Sequence, residues 1–142
     1  MDFNSKLLFW IVLIVSVVAF INIRKWVVRS RRRAYLRGRE ILSTSEIYDR
    51  FYNGSNVPQD AFYAAWNEIA KVLGVNAGQI RPDDKMINLK TGADSAPLES
   101  DLEWLIIDSI RWRPKHAPEP NKLLTLNDVV RLLVLSKAKA NK

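Results

Sequence analysis

The sequence predicts an all-α membrane protein: one N-terminal transmembrane helix, then a small bundle of three or four helices. Three observations carry this. Residues 7–23 are an almost unbroken apolar run, and the sixteen residues after it hold eight Lys or Arg and no acid. The remaining residues show apolar stripes at helical spacing, with no convincing strand-like alternation. The chain divides accordingly into an N-terminal tail and anchor (1–23), a basic juxtamembrane connector (24–40) and a helical domain (41–142).

The apolar run has the length of a membrane span. At ~1.5 Å per residue it covers ~25 Å, enough for a thin bilayer core, and for a ~30 Å core if Trp10, Asn22 and the flanking basic side chains reach outward. Leu7, Trp10, Phe20 and Ile23 are among its anchoring side chains. A cleaved signal peptide has a shorter apolar region, positive charge ahead of it and a small-x-small cleavage site behind. Here only Lys6 precedes the run, and residues 20–25 offer no such site. A buried helix of a soluble domain would need apolar partners on every face, and the rest of the chain is too small to supply them.

The flanking charge sets the expected orientation. Lys6 stands before the span, against Arg24, Lys25, Arg29, Arg31, Arg32, Arg33, Arg37 and Arg39 after it. Basic residues near a span stay on the cytoplasmic side, so the N-terminus is expected outside an inner or plasma membrane and the domain in the cytoplasm. The absence of cysteine fits a compartment where disulfides do not form.

A formal charge of +7 invites a nucleic-acid reading, but its distribution argues against one. From Glu40 onward the chain holds 13 basic and 14 acidic residues, so the domain is near neutral. Nucleic-acid binding would need a basic domain. The basic connector instead fits topology and attraction to anionic lipid headgroups, worth ~1 kcal/mol per Lys or Arg near the surface.

The connector interrupts its arginines at roughly helical spacing with Trp26, Val27, Val28, Ala34, Tyr35 and Leu36, which is compatible with continuation of the membrane helix. Ser43-Thr44-Ser45-Glu46 opens a short helix with Ile47, Tyr48 and Phe51 behind it, and residues 53–56 end it. The strongest helix begins at residues 57–60, where Pro58 suits a first turn and Asp60 the positive helix end. Phe62, Trp66, Ile69, Ala70 and Leu73 form its stripe, and Gly74 stops it. An irregular loop follows, with Val75, Ile80, Met86 and Leu89 as apolar anchors. The next helix is expected over residues 97–112, with Leu98, Leu102, Leu105, Ile106 and Ile110 inward. Residues 116–121 read as a stiff, exposed proline-rich linker. The last helix opens at Thr125-Leu126-Asn127-Asp128 and buries Val129, Leu132, Leu133 and Leu135.

In order and interval, several of these motifs resemble the acyl carrier protein family. They are the stripe helix ending Leu73-Gly74-Val75, the loop Ile80-Arg81-Pro82-Asp83-Asp84 with Leu89, Gly92-Ala93-Asp94-Ser95, and the closing Leu124-Thr125-Leu126-Asn127-Asp128-Val129-Val130. The resemblance covers roughly residues 58–136. It implies a carrier-like bundle in which Ser95, preceded by Asp94, matches the serine that receives 4′-phosphopantetheine and carries a thioester. The chain departs from the family after that serine, with Ala96-Pro97 where the family has an apolar Leu. Its near-neutral domain also differs from the strongly acidic face that carriers present to their enzymes.

The expected function is therefore a membrane-tethered, non-catalytic, carrier-like binding or scaffold module without a cofactor. The alternative is a genuine carrier phosphopantetheinylated at Ser95. The resemblance places the partner-binding face around the start of the second helix, at Leu98, Glu99, Leu102, Glu103 and Trp104, and points to an enzyme of envelope or lipid metabolism as the partner. Residue chemistry offers little to catalysis: His116, the single histidine, sits in the proline-rich linker, and Asp83-Asp84 is better suited to capping than to sharing a proton. One histidine and no cysteine cannot make an ordinary zinc site, and no metal is expected.

Overall fold

The computed structural model describes residues 3–89, 101–112, 115, 117–119 and 122–140. Among them the regular structure is helical: α1 (Phe3–Leu36), α2 (Thr44–Phe51), α3 (Gln59–Leu73), α4 (Met86–Leu89), α5 (Asp101–Arg111) and α6 (Leu126–Ala140). The one extended contact is an isolated antiparallel bridge between Lys85 and Thr125.

α1 is continuous. Its segment Lys6–Leu36 is long and apolar enough to cross a membrane, and none of its most apolar stretch is buried inside the protein. Asn22, which with Ser16 is one of two polar residues in the run, donates its amide to the Val18 carbonyl at 2.9 Å, so the helix itself satisfies part of its hydrogen-bonding capacity. The basic connector is thus not a separate linker up to Leu36: it is the end of α1.

Five helices follow α1 where three or four were expected, the addition being the single turn α4. α2 starts at a complete capping box: Ser43 accepts from the Glu46 N–H while Glu46 accepts from the Ser43 N–H at 2.7 Å. Hydrogen bonds from the Ser43 hydroxyl and backbone hold the Glu46 carboxyl below its ordinary pKa. Ile47 is buried and Tyr48 half-buried, but Phe51 faces solvent, contrary to the expected grouping. In α3 the whole stripe from Phe62 to Leu73 is buried, and Trp66 also donates its indole N–H to the Ala77 carbonyl at 3.0 Å. Gly74 ends α3 in the left-handed region at φ 66°, with its N–H on Lys71 and that of Val75 on Ala70.

α3, α5 and α6 pack against one another, and α2 lies against α3. The core they enclose centres on Phe62, Trp66, Ile69, Leu102, Leu132 and Leu133. Val129, Leu132 and Leu133 are buried as expected, Leu135 only half so, and Leu126, Val130 and Val134 join them because α6 has neighbours on two sides. Two expectations fail at the edges. Ile110 is 37% exposed, since it lies off the axis defined by Leu102, Ile106 and Ser109. Ala117 is buried against the core, so at that residue the segment expected to be exposed is docked, while Glu119 is exposed.

Candidate functional site

Two features outside the core have a specific arrangement: the junction between α1 and the domain, and the outer face of α5.

The junction is built on one face of the last turns of α1. Arg32, Tyr35 and Leu36 fall at i, i+3 and i+4 and so share one side of the helix end, and Arg39 follows beyond the turn at Gly38. Leu36 enters the core cluster. Arg32 is only 6% exposed: its Nε donates to the Leu89 carbonyl at 2.7 Å and its Nη1 to the Leu73 carbonyl at 2.8 Å. Those carbonyls belong to the last residues of α4 and α3. A single guanidinium therefore sits at two helix C-termini, where unpaired carbonyls and the negative dipole end both favour a cation.

One turn on, Arg39 Nη1 lies 2.8 Å from each oxygen of the Asp84 carboxylate, and Tyr35 donates its hydroxyl to Asp84 at 3.2 Å. Asp84 is buried and also accepts the Arg81 N–H at 2.8 Å. Burial works to lower the Arg39 pKa, but hydrogen bonding and charge from Asp84, with Tyr35 adding to both, leave it raised. The Arg39 guanidinium also lies over the Tyr35 ring, 4.8 Å from its centroid. Residues 39–42 then run past the loop after α3. Arg81 donates to the Glu40 carbonyl at 2.6 Å, and the Leu42 N–H donates to the Gly78 carbonyl at 3.0 Å. Position 78 admits only glycine without movement, because a Cβ there would stand 2.3 Å from the Leu42 carbonyl oxygen. The same loop satisfies the start of α6: the Asp84 carbonyl accepts the Leu126 N–H and that of Pro82 the Asn127 N–H.

Of the expected site residues, Asp94, Ser95, Leu98 and Glu99 lie outside the described residues, as does His116. Leu102 is 1% exposed and so belongs to the core and not to a docking face. Glu103 is half-buried, and Trp104 is 59% exposed. Leu7, Trp10, Phe20 and Ile23 all stand exposed on α1, as a lipid-facing helix requires. The basic residues divide. Lys25, Arg29, Arg31, Arg33 and Arg37 point outward and Arg24 is half-buried. Arg32 is withdrawn from any headgroup because it is spent on the two helix ends, and Arg39 is held by Asp84.

Sequence reasoning missed Tyr35, Gly78, Arg81, Asp84 and Asn88 as junction residues, Asn88 through its amide on the Tyr35 hydroxyl at 3.3 Å. The available signal was the common helical face of Arg32 and Leu36, which the density of arginines concealed; Arg39, beyond the helix end, had no such signal.

On α5, Trp104, Ile107, Asp108 and Arg111 fall at i, i+3, i+4 and i+7, opposite the buried Leu102, Ile106 and Ser109. Among the described residues no three His, Cys, Asp or Glu side chains gather as a metal cluster would. No family model matches the chain, and comparison with curated proteins and with solved structures finds no match.

Proposed function

We propose that this chain is a membrane-tethered, non-catalytic binding module whose helical domain works at the cytoplasmic face and docks a protein through the outer side of α5. The observation that supports it most is α1: an apolar helix of membrane-spanning length that continues into basic turns and ends inside the domain core. The excess of basic residues after the span supports the cytoplasmic placement. The outward members of that set are available to anionic headgroups. A docking surface on a tethered domain needs little area, because tethering raises the effective concentration of partners on the same membrane to the order of millimolar. The test is topology: a reporter fused after Lys142 is expected to sediment with membranes and to be active only in a form that works in the cytoplasm. Activity on the outer side would overturn the orientation, and a soluble fusion would overturn the tether.

The order Gly92-Ala93-Asp94-Ser95 before a helix favours one second reading, a carrier whose Ser95 holds 4′-phosphopantetheine. Expression with a phosphopantetheinyl transferase and intact-mass measurement decides it. An added arm that disappears in Ser95→Ala would establish the carrier, and an unchanged mass would remove it.

A further inference from the structure

We infer that the outer face of α5 is a self-association surface and that its occupant is a second copy of this chain in the same membrane. This rests on the tethered-module reading and names the partner that reading leaves open. Trp104 and Ile107, 59% and 54% exposed, occupy the middle of the face, with Ile110 and the 46% exposed Trp112 at its two edges. Four such side chains present on the order of 400 Å² of largely apolar surface, the size at which exposed patches mark interaction sites. It is also about half of the ~800 Å² that each partner contributes to a stable complex in solution. Confinement of both copies to one membrane supplies the difference.

Charge selects the occupant. α5 carries Asp101, Glu103 and Asp108 against Arg111, which disfavours an anionic bilayer surface as the ligand. Asp108 and Arg111 are exposed on the same stripe as Trp104 and Ile107, and neither has an ionic partner among the described residues. A two-fold contact must be self-complementary. A face with an acid and a base one turn apart, interleaved with apolar side chains, satisfies this: Asp108 of each copy meets Arg111 of the other.

The chain has no cysteine, so an introduced one is unique. Full-length Ile107→Cys in native membranes is expected to crosslink to twice the chain mass, at least about tenfold more than Asn67→Cys on an exposed position of α3. In the Ile107→Cys background, Asp108→Arg and Arg111→Asp are each expected to lower that band about fivefold, and the two together to restore it. Far-UV circular dichroism checks that each variant keeps its helices. Equal crosslinking from both positions, no dimer band from membrane-held protein, or single charge variants without effect would overturn the inference. An adduct only of another mass would also overturn it, in favour of a different protein partner, while leaving the tethered module standing. A chain recovered in the soluble fraction would overturn both.

Discussion

Arg32 is surrounded by arginines of the same type and does a different job from its neighbours. The planar fork of a guanidinium can serve two carbonyls from different helices at once, whereas a lysine ammonium is a point donor on a flexible stem. Arg32→Lys is therefore expected to destabilise the domain by about 1–3 kcal/mol, since one of two buried carbonyls loses its partner. Arg31→Lys and Arg33→Lys, at exposed positions, should stay within about 0.5 kcal/mol. Denaturant unfolding in detergent measures all three, and equal effects would refute the special role of position 32. Residue type could not separate these arginines. Only register does, because Leu36 at i+4 fixes the face that meets the core. Trp66 was legible for the same reason: it stands in the middle of an apolar stripe that admits one orientation.

At the scale of elements, the end of α1 behaves as part of the domain. Residues 37–42 turn at Gly38, whose φ of 80° lies in the left-handed region, and then follow the loop after α3. Gly78→Ala is expected to cost about 1–3 kcal/mol, because the new methyl forces residues 41–42 off the loop. Thermal unfolding checks this, and an unchanged midpoint would mean the two segments are not in contact. A fragment beginning at residue 41 loses Arg32, Leu36 and Arg39 together, so it should unfold well below one beginning at residue 24. Burial of Leu36 alone is worth roughly 2 kcal/mol. Equal midpoints would make the basic segment a passive linker. The sequence made α2, α3 and α6 readable through caps and stripes that agree. α4 was not readable, because four residues are too short for any period and its last carbonyl is satisfied by Arg32, 57 positions away. The long apolar helix was readable, but not its end: the composition changes at Arg24 while the backbone conformation does not change until after Leu36.

For the whole molecule, the consequence is that α1, long and apolar enough to cross a membrane, and the helical domain are joined without a free hinge. Arg32 and the Arg39–Asp84 pair hold α1 to the ends of α3 and α4 and to the loop that starts α6. Under the proposed tether, a partner on α5 meets a domain held close to the bilayer and in a restricted orientation, which lowers the cost of binding. The region around Ser95, on which the carrier resemblance turns, lies outside the described residues, so the part of the site most legible by motif and the part most legible by structure do not overlap. A tethered domain requires α1 to be immersed in lipid over its apolar half and in the domain at its far end. Single cysteines placed in turn from residue 7 to residue 39 of the full-length chain, probed in sealed membranes with a water-soluble maleimide, test this most directly. Protection is expected over residues 7–23, reactivity at 31, 33 and 37, and protection again at 32 and 36 that is lost on unfolding. Uniform reactivity along residues 7–23, or positions 32 and 36 as reactive as 31 and 33, would contradict it.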